Sequence, residues 1–227
     1  MNEIVVLAAV SKSYPPPTSV DALVDVSLRI ETGETVAITG PSGSGKSTML
    51  NILGTLEVPT SGSVIIDGID ASTLGDDALS ALRANRIGFV FQQFNLLRHL
   101  SVVDNVATGL LYRGVATKER RSAAREALER VGLGDRGAHR PAQLSGGEQQ
   151  RAAIARAIVG NPAIVLADEP TGNLDSASGE SIIELLRGLA GPDTTVVVIT
   201  HDARVASSMH RRVVLHDGRI VDDSAVA

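Results

Sequence analysis

Between Val24 and Ile30 the chain reads Val24-Asp25-Val26-Ser27-Leu28-Arg29-Ile30, apolar and polar in turn. That period of two predicts a half-buried antiparallel strand. Other apolar runs are short and nearly continuous. Ile4 to Ala9, Val36-Ala37-Ile38, Ser63 to Ile66, Ile87 to Phe91, Ala163 to Ala167 and Thr194 to Thr200 each predict a strand. Ala78 to Arg86 predicts a helix, as does Ser176 onward, where Ser176 can act as N-cap and Ile182, Ile183, Leu185, Leu186 and Leu189 form an apolar stripe. Arg212 to His216, the Asp217-Gly218 turn and Arg219 to Val221 predict a closing hairpin. Pro15-Pro16-Pro17 excludes helix and central strand.

From Val102 to Val131 the period changes to that of helices, with Leu110, Leu111, Ala123, Ala127, Leu128 and Val131 as apolar positions. A second helix is expected over Glu148 to Val159. No strand is predicted between Gln93 and Asn161. Strands alternating with helices on either side imply an α/β fold with a mostly parallel sheet, antiparallel strands at its ends, and a helical subdomain inserted between.

Composition narrows the picture. The 227 residues are 43% hydrophobic and 21% charged, which suits one compact unit. With 21 basic against 26 acidic residues the net charge is -5, so no nucleic-acid partner is expected. The absence of cysteine excludes disulfides and thiolate metal sites. No apolar run reaches the 18 or so residues of a membrane span, and no secretory signal is visible at the start. The cytoplasm is the expected compartment.

The candidate chemistry centres on Gly40-Pro41-Ser42-Gly43-Ser44-Gly45-Lys46-Ser47-Thr48, which reads G-x-x-x-x-G-K-S. Its glycines let backbone N–H groups converge into an anion-binding nest. Lys46 adds a point charge for the β- and γ-phosphates, and the Ser47 hydroxyl suits Mg²⁺. Met49 to Leu53 continues a helix whose N-terminus faces the phosphates. Asp168-Glu169 closes an apolar strand. Asp168 suits coordination of Mg²⁺, and Glu169 is then free to orient or deprotonate an attacking water.

Leu144-Ser145-Gly146-Gly147-Glu148 completes the set. With it, the chain resembles the nucleotide-binding subunit of an ATP-binding cassette (ABC) transporter from Tyr14 to the final hairpin. It is most like the macrolide-export and lipoprotein-release subfamily, through Gln92 to Leu97 and Thr171 to Ser176. The resemblance implies a phosphate-loop (RecA-like) core, an antiparallel β subdomain and an inserted helical signature subdomain. It places the α/β core at 1–92 and 161–227 and the helical subdomain at 93–160, all within one ATPase domain.

It further implies ATP and Mg²⁺ as cofactors. Tyr14 stands where the family stacks an aromatic on adenine. Gln92 corresponds to the glutamine that senses metal and γ-phosphate, and His201 to the histidine that contacts the γ-phosphate. Ser145, Gly146 and Gly147 bind the nucleotide of the opposite subunit in a homodimer, and Asp175 ends the loop that crosses that dimer. The expected partner is an integral membrane permease at the cytoplasmic face, docked through Phe94, Leu96 and Leu97. A mechanotransmitting cassette that controls a membrane or periplasmic protein without moving solute is the alternative. His99, His139, His210 and His216 carry no motif and are expected to be structural.

Overall fold

A computed structural model describes residues 3–16 and 19–226. Pro17, the last of the proline run, lies outside them. The first two strands, β1 (Glu3–Tyr14) and β2 (Val20–Glu31), pair antiparallel. The alternation read from the sequence sets the burial of β2: Val26, Leu28 and Ile30 are buried while Ser27 and Arg29 are exposed. β1 runs past Ala9, where the expected strand stopped, because its polar second half pairs with β2 (Lys12 with Leu23, Ser13 with Asp21, Tyr14 with Val20). Register shifts along the pair coincide with positive φ at Ala9 and Asp25, the mark of bulges.

Strand β3 (Thr35–Thr39) leads to helix α1 (Lys46–Leu53), followed by β4 (Ser61–Ile66) and the two-residue β5 (Ile69–Asp70). The four strands β2-β1-β4-β5 form one antiparallel sheet. Helix α2 (Asp76–Arg86) and strand β6 (Ile87–Val90) come next. The helical stretch then holds α3 (Val102–Ala107), a 3₁₀ turn (Thr108–Arg113), α4 (Thr117–Arg130) and α5 (Gly146–Ile158). The expected continuous helical pattern over 102–131 is broken at Gly114, which takes φ +69°.

The α/β rhythm returns with β7 (Ile164–Asp168), α6 (Ser176–Leu189), β8 (Thr195–Ile199), α7 (Ala203–Ser208), β9 (Arg211–His216) and β10 (Arg219–Ala225). These strands join β3 and β6 in a six-stranded sheet, ordered β10-β9-β3-β8-β7-β6. β9, β3, β8, β7 and β6 run parallel, and β10 is antiparallel at the edge.

Both faces of this sheet are covered, which is why its strands read as unbroken apolar runs. Alternate residues feed two cores. Val36, Ile38, Ile164, Leu166, Val197 and Ile199 pack with α1 and the antiparallel sheet. Ala37, Val165, Ala167, Val196 and Val198 pack with α3 to α7. The helical insertion therefore shares one core with a sheet face rather than folding around a core of its own. Because β3, β6, β7 and β8 are parallel, their C-terminal ends gather at one edge. In open α/β sheets that edge is where ligands bind.

Candidate nucleotide site

The phosphate loop joins β3 to α1. Gly40, Gly43 and Gly45 all take positive φ. At two of them a side chain is also excluded by space. A Cβ on Gly40 would collide with the Leu215 carbonyl and the Ser44 hydroxyl, and one on Gly45 with the Ala22 carbonyl. The loop wraps around Lys46, whose Nζ donates to the carbonyls of Gly40 (2.8 Å) and Pro41 (2.7 Å). Ser44 is buried, and its hydroxyl has no hydrogen-bond partner among the described residues.

Two carboxylates stand at the end of β7. Burial pushes the Asp168 carboxyl above its ordinary range, the adjacent Glu169 charge adds to this, and Lys46 opposes it. Glu169 sits at φ +43°, a backbone region that non-glycine residues seldom adopt, and Pro170 follows. Three groups hold its carboxylate. The backbone N–H of His201 donates to Oε1 at 3.0 Å, His201 Nδ1 lies 2.6 Å from the same oxygen, and the Thr200 hydroxyl donates to Oε2 at 3.1 Å. Such strain persists only where the surroundings over-determine it, and it concentrates at functional sites.

Gln92 follows β6 and is tied across to the segment after Glu169. Asn173 Nδ2 donates to its carbonyl at 2.8 Å, and Gln92 Nε2 lies 3.4 Å from Asn173 Oδ1. Tyr14, Lys46, Ser47, Gln92, Asp168, Glu169 and His201 thus line one open cleft of about 880 Å³ with the phosphate loop as its floor. Asp168 and Ser47 present hard oxygen donors, the type that Mg²⁺ prefers. The N–H-rich loop and Lys46 suit a polyphosphate, so these residues fit both expected cofactors.

Ser145, Gly146, Gly147 and Asp175 do not line that cleft. Ser145 caps α5 in a reciprocal box, its hydroxyl accepting from the Glu148 N–H while the Glu148 carboxylate accepts from the Ser145 N–H. The free N–H groups at this helix start are therefore those of Gly146 and Gly147, the Ser145 N–H being bound to Glu148. Asp175, not Ser176, caps α6. Its carboxylate accepts from the Ser178 N–H at 3.0 Å and the Ser178 hydroxyl at 2.7 Å, a reach that Ser176 inside the first turn does not have. The two motifs touch each other, since a Cβ on Gly147 would press on Ser178 and one on Gly146 on Leu174.

This arrangement matches known proteins along nearly all of the chain. The profile of the ABC transporter family matches residues 23–172. The chain belongs to the ABC transporter family. It is 50% identical, over 97% of its length and 94% of the relative's, to an uncharacterized ABC transporter ATP-binding protein of Thermotoga maritima. It is 49% identical to the macrolide export ATP-binding/permease protein MacB of Salmonella choleraesuis, of which it spans about a third (34%) while 97% of this chain is covered. Among solved structures it matches the dimeric, post-hydrolysis form of the ATP-binding cassette MJ0796 bound to ADP and Pi. There the TM-score is 0.87 and the identity 48%, over 98% of this chain and 99% of that one. The resemblance to an ABC nucleotide-binding domain and the α/β fold with a separate antiparallel sheet are borne out.

Three residues of the cassette escape the motif reading. Thr200 is fully buried and binds Glu169; its position next to His201 was the available signal. Asn173 ties Gln92 to the loop after β7, and lies within Thr171 to Ser176 with no role expected of it. Gln150 is buried on α5 and donates to the Pro170 carbonyl at 2.6 Å, with the Phe91 carbonyl at 3.5 Å. A buried glutamine on an amphipathic helix stands out by polarity alone, but its partners are remote in sequence.

Proposed function

We propose that this ABC cassette binds and hydrolyses ATP with Mg²⁺ and drives a membrane permease, in export or in extraction of lipoprotein or peptide. The observation that carries the reading is the Glu169 carboxylate, fixed by three bonds beside Lys46, Asp168 and His201 in one cleft. Lys46 and the loop N–H groups hold the β- and γ-phosphates. Ser47, Asp168 and Gln92 hold Mg²⁺, which when bound neutralises charge on the phosphate oxygens. Glu169 orients the attacking water and takes its proton, and His201 steadies Glu169 and reaches the γ-phosphate. Tyr14 supplies a face for adenine.

Ser145, Gly146 and Gly147, lying outside the cleft, serve the nucleotide of a second copy. The dimeric state of the matched MJ0796 cassette supports this. The name of the MacB relative, an ATP-binding/permease protein, supports a permease partner, and a place at the cytoplasmic face of the membrane is part of the same proposal. No helix among the described residues is long and apolar enough to cross a membrane. Of the three expected docking residues, Phe94 and Leu96 are half-buried, and Leu96 packs against the helical core. Leu97 is 45% exposed and is the one free to meet a partner.

The test is paired kinetics. Lys46→Ala is expected to abolish ATP binding. Glu169→Gln keeps the shape and loses the base, so it should bind ATP with near-native affinity and hydrolyse it about 100-fold or more slowly. Near-native turnover by Glu169→Gln would remove that residue from the chemistry.

A further inference from the structure

β1 ends on Tyr14, and its phenol is held by a polar cluster in which Lys12, Asn51 and Glu57 belong to none of the family motifs. The Tyr14 hydroxyl donates to Glu57 Oε2 at 2.8 Å and lies 3.4 Å from the Thr48 hydroxyl. Glu57 Oε1 accepts from Asn51 Nδ2 at 2.8 Å. Lys12 Nζ lies 3.4 Å from Glu57 Oε2, donates to the Val58 carbonyl at 2.9 Å, and sits 5.3 Å from the centre of the Tyr14 ring. Burial alone would raise the Glu57 carboxyl, but hydrogen bonds from Tyr14, Asn51 and Lys12 outweigh it and hold the group below its ordinary pKa. It is therefore a carboxylate at neutral pH.

Thr48 and Asn51 belong to α1, the helix that starts at Lys46. Glu57 thus ties the aromatic ring to the rigid element that carries the phosphate-binding lysine. Lys12 and Glu57 do not line the cleft, so any effect they have on a nucleotide is indirect, through Tyr14 or through α1. A ring free to rotate would have to be ordered on each binding event, at a cost of about two- to ten-fold in affinity for one side chain. We propose that Glu57, supported by Lys12 and Asn51, is a positioning residue. It fixes the Tyr14 ring relative to α1, so that the spacing between base platform and phosphate cradle is set before a nucleotide binds. The proposal rests on the reading of Tyr14 as that platform.

Titration calorimetry of the full chain with ATP and with inorganic tripolyphosphate tests it. Tyr14→Ala removes the platform and should weaken ATP most. Tyr14→Phe keeps the ring but cuts its tether, and Glu57→Ala cuts the same tether from the other side. Each should weaken ATP by roughly two- to ten-fold and leave tripolyphosphate unchanged. Glu57→Gln, which keeps an acceptor for the phenol, should recover most of the loss. In a Tyr14→Ala background, Glu57→Ala should have no further effect on ATP. If it weakens ATP equally there, or weakens tripolyphosphate in parallel, Glu57 merely supports α1 and the proposal is wrong. If Tyr14→Ala weakens ATP while Tyr14→Phe and Glu57→Ala do not, the tether alone is refuted. If Tyr14→Ala leaves ATP unaffected, the platform reading fails and the tether falls with it.

Discussion

At neutral pH Asp168 weakens the fold. Burial and the neighbouring Glu169 charge raise its carboxyl pKa in the folded state, and Lys46 offsets them only in part. A raised folded pKa means that folding favours the protonated form. The stability linked to this group is therefore full below the unfolded pKa and is lost as pH rises through the folded one. At pH 7 the charged Asp168 is a net burden. Asp168→Asn should raise the melting temperature of the nucleotide-free protein by roughly 1–3 °C at pH 7, with a smaller gain near pH 4. It should also cost Mg²⁺-dependent ATP binding. Calorimetric scans at the two pH values check the sign, and an equal or lower melting temperature at pH 7 would contradict it. Asp168, Glu169 and His201 could all be picked out in the sequence, because each ends an apolar strand beside a recognisable motif. Their mutual geometry could not. The contact of Glu169 with Thr200 and His201 depends on β7 and β8 lying side by side, a pairing between strands remote in the chain.

Helix α5 is the element that joins the parts. Its N-terminus presents Gly146 and Gly147, and one turn later Gln150 reaches the Pro170 carbonyl and approaches that of Phe91. Phe91 precedes Gln92, and Pro170 follows Glu169. Further along, Arg156 donates to the carbonyls of Phe94 (2.8 Å) and Asn95 (2.6 Å), two left-handed residues just past Gln92. One helix thus grips both the loop that carries Gln92 and the loop that carries Glu169. Gln150→Met keeps the volume and leaves a buried carbonyl without its donor, a loss of about 1–3 kcal/mol. The expected result is a several-fold fall in kcat with little change in ATP affinity, because the phosphate loop makes none of these bonds. An unchanged kcat in steady-state assays would show that the grip does not matter to turnover. Elements of this kind were legible in the sequence where burial is simple. The fully covered strands read as apolar runs, and the half-covered β2 as an alternation. Misreadings arose where local chemistry competes with period: at Ala9, where a bulge lets a polar half-strand keep pairing; at Gly114, which divides a helical pattern; and at Asp175, whose carboxylate displaces Ser176 as the cap.

In the whole molecule, the cleft and the signature helix are complementary but separate. All the groups expected around the phosphates of one nucleotide lie at the C-terminal edge of the parallel sheet, except those of Ser145, Gly146 and Gly147. The capping box consumes the N–H groups of Ser145 and Glu148. Those of Gly146 and Gly147 make no hydrogen bond among the described residues, and they stand at the positive end of α5, a place that favours an anion. Within one chain neither glycine lines the cleft. A second copy related head to tail would set each signature against the partner's cleft, and both nucleotides would then be part of the interface. In such a pair the bonds to the γ-phosphate would be charge-assisted and would form only on closing, so closure would depend on the triphosphate and would be lost once the cleaved phosphate leaves. The Glu169→Gln protein, which retains ATP, is expected to sediment as a dimer with ATP and Mg²⁺ and as a monomer with ADP. Lys46→Ala, lacking the nucleotide, should stay monomeric in both. Gly147→Asp should also stay monomeric with ATP while still binding it, because its carboxylate both occupies the free N–H groups and repels the partner's phosphate. If Glu169→Gln is monomeric with ATP at concentrations far above its ATP dissociation constant, the sites do not close on each other without a membrane partner. If Gly147→Asp dimerises as well as its parent, the signature glycines are not the groups that bridge the pair.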